Sequence, residues 1–207
     1  MKKSILIFII SHYASFRLLN LFKKIPFDKL KNYKVEVLIS DDCSKDDTQK
    51  IAEEIKGKNT NVVLNFNKSN LGYGGNIKFC LNFANENNFD YAVMLHGDGQ
   101  YDPSYIVTMI NKLSSNEMLH AIVGSRMINK SDALSGKMPI YKFVGNIILT
   151  KLSNLILKQK TTDCHSGFWM YKGESLKKLK YLNNTNGFNF DQQMRIQFAE
   201  KKMEISE

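Results

Sequence analysis

Short apolar runs and helically spaced apolar positions alternate along most of this chain. Ser4 to Ile10 is an Ile-rich run that ends at Ser11-His12-Tyr13. A run of this length between polar residues predicts a strand buried on both faces. Phe16, Leu19 and Phe22 then recur at helical spacing, and Pro26 ends that helix. Val35 to Ile39 repeats the strand signal and opens into an acidic turn from Ser40 to Thr48. Ser44 with Asp47 three residues later predicts a capping box for a helix with Ile51 and Ile55 on its apolar face. Val62 to Leu64 is a third strand. The Gly-rich turn Asn65 to Asn76 follows, then a helix marked by Ile77, Leu81 and Ala84. Gly72, Gly74 and Gly75 lack a Cβ, which predicts close approach of a ligand to the backbone there. Their spacing is not that of a dinucleotide fingerprint.

The stretch Tyr91 to Pro103, YAVMLHGDGQYDP, organises the rest. Its apolar half predicts a buried parallel strand, and Asp102-Pro103 predicts a helix start. Between them lie His96, Asp98 and Gln100 among two glycines. Ligands in open α/β sheets bind beyond the carboxyl ends of strands. A carboxylate at that place can hold a divalent metal, and the metal a diphosphate. Ile106, Met109, Ile110 and Leu113 mark the next helix, and Ala121 to Val123 the fifth strand, ending in Gly124-Ser125-Arg126. The alternation predicts an α/β fold with a mostly parallel sheet covered on both faces.

The pattern breaks at Met127. Irregular sequence runs to Lys142, and its length and position after Arg126 predict a mobile lid, with Lys130 and Lys137 reaching a bound anion on closure. Phe143 to Leu157 is a helix with apolar residues over a broad surface and lysines around it. The favoured reading is a helix packed in the core; the second is a helix at a membrane surface. Asp163 to Tyr171 begins polar and becomes a strand, Gln192 to Lys201 is a helix, and Met203-Glu204-Ile205 begins another strand. The chain stops inside that strand, which leads to the expectation of a C-terminal truncation. One domain is expected over residues 1–207.

Composition narrows the classes. A chain of 207 residues with 43% hydrophobic residues can bury a core. The formal net charge of +9 leaves nucleic acid, anionic lipid and phosphorylated substrates as partners. Nucleic acid is disfavoured, because no recognised binding module appears and acidic turns sit at the proposed crevice. Cys43, Cys80 and Cys164 are far apart and form no CxxC pair, which fits a reducing cytosol and argues against zinc or a disulfide framework. Met1-Lys2-Lys3 before the first apolar run has a signal-peptide look, but six apolar residues are too few, and a first strand is the better reading.

Capping explains Asp46 and Asp47 of the acidic turn. It does not explain Asp41-Asp42, which precede the cap at the end of a strand, so Asp42 is a candidate binding residue. Together with Asn70-x-Gly72, Gly-Asp-Gly-Gln-Tyr at 97–101, Gly124-Ser125-Arg126, Asp163 with Ser166-Gly167-Phe168, and Phe190-Asp191, the Asp41-Asp42-x-Ser44 turn completes a series of motifs in one order. In these the chain resembles the family-2 glycosyltransferases, nucleotide-sugar enzymes of the GT-A fold. Within them it is similar to the dolichyl- and polyprenyl-phosphate sugar transferases, from Ile5 to Ile205.

The resemblance implies a nucleotide-binding part at about 1–126, an acceptor-side part at about 127–207, and a site. A UDP- or GDP-sugar would have its base in the first crevice, against Asp42, Ser11, Tyr13 and Gly72. Asp98 would hold Mg2+ or Mn2+ with Gln100 in support, His96 would reach the ribose or the metal, and Arg126 would meet the diphosphate. Asp191 would serve a hydroxyl acceptor as general base, or orient a lipid phosphate, which needs no base. Two places depart from the family: His96 stands where an aspartate is usual, and Ser11-His12-Tyr13-Ala14 lacks the usual proline and glutamate. The implied activity is inverting hexosyl transfer to a polyprenyl phosphate at the cytoplasmic side, peripheral at the membrane's inner face. A glycan or other hydroxyl acceptor, and a non-catalytic sugar-nucleotide binder, are the alternatives.

Overall fold

A computed structural model describes residues 2–128 and 139–207. Its seven-stranded sheet has the order β3-β2-β1-β4-β6-β5-β7. The strands are β1 (Ser4–Ser11), β2 (Lys34–Asp41), β3 (Val62–Phe66), β4 (Tyr91–His96), β5 (Leu119–Gly124), β6 (Phe168–Lys172) and β7 (Glu204–Ser206). The helices are α1 (Leu18–Lys23), α2 (Thr48–Lys58), α3 (Tyr73–Glu86), α4 (Ile106–Ser115), α5 (Ile140–Leu157), α6 (Gly173–Leu176) and α7 (Phe190–Glu200).

β1 runs parallel to β2 on one side and to β4 on the other, and β2 is parallel to β3. This central place explains the unbroken apolar run of β1. Ile5, Ile7 and Ile9 enter one core with α1, α2 and α4, whereas Leu6, Phe8 and Ile10 enter a second with α3, α6 and α7. The run after the two N-terminal lysines is therefore the middle of the sheet. β6 is antiparallel to both β4 and β5, and β7 lies parallel to β5 at the edge. Simple alternation ends at β5, and β6 enters from the excursion after residue 127 rather than through a βαβ crossover, so it can run the other way.

Several local expectations change. In α1 the buried residues are Leu18, Leu21 and Phe22, while Phe16 is 94% exposed and Leu19 faces outward. The helix has six residues, so its face is set by the entering chain, where Ala14 N donates to Thr48 Oγ1 at 2.8 Å. The Ser44–Asp47 capping box does not form. Ser44 Oγ donates to Asp41, and Asp46 Oδ1 accepts from Thr48 N at 3.1 Å. Asp102 does accept from Ser104 N, ahead of Pro103. The sides of Gly72 and Gly74 where a Cβ would stand face the chain's own backbone at Thr185 and Asn186. A Cβ on Gly72 would lie 2.7 Å from Asn186 O, and Gly74 N donates to that oxygen at 2.7 Å.

The largest correction concerns α5. Among its described side chains the buried ones are Asn146 and Thr150, and Val144, Ile148, Leu149, Leu152, Leu155 and Ile156 are exposed. Core packing, the favoured reading, is overturned: the inner face is polar because its partners around Asp163 are polar. The expected lid, with Lys130 and Lys137, falls on residues 129–138, which lie outside the described residues.

Candidate active site

The carboxyl ends of β1, β2 and β4 meet along one edge. Ser11 pairs with Asp41, and Ile10 is flanked by Ser40 and His96. Asp41 is fully buried and accepts from Ser44 N at 2.9 Å and Gln49 Nε2 at 2.8 Å. Asp42 accepts from Leu71 N at 2.8 Å, Gly72 N at 3.0 Å and Asn67 Nδ2 at 2.9 Å. These bonds fix the loop after β3 against the end of β2. The β1 loop reaches it on the other side, where His12 Nε2 lies 3.3 Å from Asn70 Nδ2. Tyr13 and Cys43, on the β1 and β2 loops, both have left-handed backbones, with φ of 53° and 62°. Such strain in residues other than glycine recurs where a loop is held for function. Ser11 is buried beneath Gly97, and its Oγ has no partner among the described residues.

Beyond β4 the chain turns sharply. Gly97 N donates to Ile10 O at 2.8 Å, and a Cβ there would crowd Ser11. Gly99 sits at φ +70°, open to glycine without strain. The turn leaves the Asp98 and Gln100 side chains exposed. Asp98 Oδ1 accepts from Gln100 N at 2.9 Å, and Arg17 donates to the Asp98 carbonyl at 3.0 Å. A groove of about 530 Å³ opens beside Asp98, lined in part by Arg17, Asn20, Lys24 and Gln100.

His96 is held by aromatic edges. Tyr73 and Tyr101 lie with ring centroids 5.6 and 5.0 Å away, and Nε2 is 3.4 Å from the Tyr73 hydroxyl. Burial pushes its pKa down to about 4, against the raising effect of the Asp98 charge; Arg126 lowers it further. The imidazole is therefore neutral at pH 7, and both charges lie within electrostatic reach of it. Gly167 makes this convergence possible, because a Cβ there would meet the Tyr73 hydroxyl and the His96 ring.

On the other side, Asp191 sits in the first turn of α7, where Asn189 holds the cap position; Asp191 is not the cap. Its Oδ2 accepts from the Tyr73 hydroxyl at 2.7 Å, and its Oδ1 has no partner among the described residues. Burial pushes the carboxyl up to about 7, although the Tyr73 bond and the Arg195 charge act in the opposite direction. Tyr73 thus links Asp191 to His96.

Arg126 Nε donates to Asp163 Oδ2 at 3.1 Å. Asp163 is fully buried, and its Oδ1 accepts from Asn146 Nδ2 at 2.9 Å and His165 N at 3.0 Å. Arg195, also buried, donates to the Asp163 carbonyl at 2.8 Å and lies over Trp169. The structure thus gathers His96, Asp98, Arg126 and Asp191 around the end of β4, and places Tyr13, Asp42 and Gly72 on the neighbouring loops after β1, β2 and β3. Tyr73, Arg17 and Asp163 had no assigned role in the sequence reading. Asp163 was visible as a motif residue, but nothing in a sequence places Tyr73 between two distant polar side chains.

Among the described residues, no three His, Cys, Asp or Glu side chains gather as a metal cage. Asp98 nonetheless fits an ion of the magnesium type, which takes one or two carboxylates and fills its other positions with water and phosphate. Its exposed carboxylate uses Oδ1 to hold the turn and leaves Oδ2 open.

The family model described as glycosyl transferase family 2 matches residues 17–180. The chain belongs to this family and is a glycosyltransferase of the GT-A fold. It is 30% identical over 186 residues to an uncharacterized protein of Methanocaldococcus jannaschii, spanning 86% of this chain and 76% of that one. It is 28% identical over 193 residues to the UDP-N-acetylglucosamine–dolichyl-phosphate N-acetylglucosaminyltransferase of Methanococcus voltae, spanning 87% and 76%. Among solved structures, the UDP complex of glucosyl-3-phosphoglycerate synthase from Mycobacterium tuberculosis superposes with a TM-score of 0.70 at 14% identity, over 99% of this chain and 70% of that one. At that identity the likeness concerns the fold.

Proposed function

We propose that this glycosyltransferase moves a hexosyl group from a nucleotide sugar, UDP- or GDP-linked, to a polyprenyl phosphate, with inversion. The observation that carries the reading is the convergence of Asp98, Arg126 and the Asp191–Tyr73 pair on one edge of the sheet. The named activity of the Methanococcus voltae relative supports the acceptor class.

The base and ribose occupy the crevice beneath Tyr13, between the Asp42-braced loop and β1. Asp42 holds Leu71 and Gly72 in place and keeps acceptor capacity toward the base. Ser11 and Gly72 shape the floor and the wall. The diphosphate lies between Asp98 and Arg126, and neutral His96 supplies a hydrogen bond without adding charge. Asp98, with Gln100 beside it, would hold Mg2+ or Mn2+, which would supply charge neutralisation for the departing nucleoside diphosphate. A phosphate oxygen of the acceptor forms the new bond to the anomeric carbon from the opposite face. The old carbon–oxygen bond breaks, and its electron pair leaves on the nucleoside diphosphate, against Arg126. A phosphomonoester has its second pKa at about 6, so the nucleophile is already anionic at pH 7. Asp191 then orients it through the Oδ1 face. Such an enzyme works at the cytoplasmic side, peripheral at the membrane; no described helix is long and apolar enough to cross a membrane.

One observation favours a second acceptor. A carboxyl raised to about 7 is well matched to general-base work on a hydroxyl. Labelled nucleotide sugars, offered with polyprenyl phosphate or with glycan acceptors in Mg2+ or Mn2+, decide between them. Label entering the organic phase is expected. Transfer to hydroxyl acceptors alone would establish the second reading. Nucleotide binding with neither transfer nor donor hydrolysis would mean a sugar-nucleotide binder.

A further inference from the structure

Tyr73 is the first residue of α3, and its surroundings fix it from several sides. The N of Gly72, just before it, donates to Asp42 Oδ2 at 3.0 Å, so the brace at the end of β2 sets where the helix begins. The N of Gly74, just after it, donates to Asn186 O at 2.7 Å, and Lys78 Nζ donates to Asn186 Oδ1 at 2.9 Å. The start of α3 is thus stapled to the segment that leads into α7. The Tyr73 ring stacks on Phe188 of that segment, with centroids 5.2 Å apart, and meets the edge of His96 at 5.6 Å. A Cβ on Gly167 would lie 2.6 Å from the Tyr73 hydroxyl, so that side is closed as well.

The hydroxyl held there has one proton to give. It donates to Asp191 Oδ2 at 2.7 Å and lies 3.4 Å from His96 Nε2. Burial and the Asp191 charge push the phenol well above its ordinary pKa, so it stays protonated at working pH. With the proton committed to Asp191, the phenol oxygen can meet His96 only as an acceptor. The titratable groups facing Asp191 are Tyr73 from α3, Tyr171 from β6 and Arg195 from its own helix. Arg195 donates elsewhere, to Thr161 Oγ1 and the Asp163 carbonyl, and the Tyr171 hydroxyl has no partner among the described residues. Among the described residues, Tyr73 alone bonds the Asp191 carboxyl directly. A donor on a carboxylate favours its anion, so this bond opposes the burial that raises the Asp191 pKa.

We infer that Tyr73 is a positioning residue of the transfer reaction: its hydroxyl holds the Asp191 carboxyl in place, and the start of α3 ties that carboxyl to the loop that Asp42 braces. The inference rests on the proposed acceptor-side role of Asp191 and goes beyond it, because it names what sets that carboxyl. Tyr73 touches no reacting atom in this account. It acts through Asp191.

Tyr73→Phe tests this, because it removes the hydroxyl and keeps the ring against Phe188 and His96; circular dichroism confirms the fold. Carbon-13 NMR of the aspartate side chains, in the unliganded full chain, reads Asp191 directly, with its signal assigned by its loss in Asp191→Asn. The Asp191 titration is expected at higher pH in Tyr73→Phe than in the unaltered chain, because the anion has lost its donor. With a labelled nucleotide sugar and polyprenyl phosphate, kcat should fall at least about tenfold, while affinity for free nucleoside diphosphate stays unchanged. Whichever protonation state of Asp191 the reaction uses, the limb of the pH–rate profile that it sets should move to higher pH with the titration. On the Asp191→Asn background, Tyr73→Phe should cost no further turnover, since the two act as one unit. An unchanged Asp191 titration, full turnover, or a lowered kcat with an unmoved limb overturns the inference; the last would make Tyr73 a packing residue. Transfer by the unaltered chain to hydroxyl acceptors alone, with the titration shift and the fall in kcat present, would count against the polyprenyl-phosphate reading and leave Tyr73 in its role.

Discussion

Helices α4 and α5 read alike as apolar sequence and do opposite things in the fold. α4 buries Ile106, Met109, Ile110 and Leu113 against the sheet, and its remaining surface is mostly exposed. α5 buries Asn146 and Thr150, and leaves Val144, Ile148, Leu152 and Leu155 in contact with solvent. α4 covers strands, whose faces are apolar. α5 covers the Asp163 loop, whose buried groups require hydrogen bonds. The face a helix turns inward is thus chosen by what it meets, and only part of that choice is written in its own residues.

The sharpest way to break this comparison is a pair of truncations. Leu113→Ala should cost about 2–5 kcal/mol, as a buried leucine does. Leu152→Ala should stay within about 0.5 kcal/mol, as an exposed site does. Urea denaturation of both variants checks it, and equal losses would mean that α5 is covered within the fold.

A second test acts on the polar seam beneath α5. Asp163→Ala leaves Arg126 and Asn146 without their acceptor. A loss of about 3 kcal/mol is expected, the lower end for a broken buried pair because Arg126 is partly exposed. Sugar transfer should fall with it, even at temperatures where the variant stays folded, because Arg126 has lost its anchor. Full turnover in folded Asp163→Ala would reduce Asp163 to a packing residue.

Asp191 provides a test by pH. Its folded value of about 7 lies above the 3.8 of an exposed carboxyl. Between these values the folded chain keeps a proton that the unfolded chain releases. Stability should therefore fall as pH rises from about 4 to about 7, and level off above. Thermal melts of Asp191→Asn should lack this decline, and an identical pH profile in the variant would refute the assignment.

The smallest expected effect is at Asp42. Asp42→Ala removes three bonds that hold residues 67–72. Affinity for free nucleoside diphosphate should drop about tenfold, equivalent to 1.4 kcal/mol, with or without metal. Unchanged calorimetric affinity would make Asp42 a loop brace alone.

The same contrast explains what the sequence made legible. The full burial of Ile5 to Ile9, the Asp102-Pro103 helix start and the buried stripe of α4 all follow from periodicity and local chemistry. The partners of side chains do not. Ser44 reaches back to Asp41 instead of forward to a helix, and Gly72 and Gly74 make room for Asn186, more than one hundred positions away in sequence. Phe16 and Leu18 are equally apolar, and only the path of the chain into α1 decides which is buried. In the site, Asp98 and Arg126 were readable as motif residues. Their common proximity to His96, and the Tyr73 link to Asp191, depend on β6 arriving beside β4.

The proposed function rests on the exposed carboxylate after β4 working on the diphosphate of a nucleotide sugar. Donor turnover by Asp98→Asn, titrated with Mg2+ and with Mn2+ beside the unaltered chain, tests it most directly. A fall of at least about tenfold is expected, a loss of roughly 1.4 kcal/mol of transition-state stabilisation, with the metal response weakened. Full turnover with the same metal dependence would contradict it.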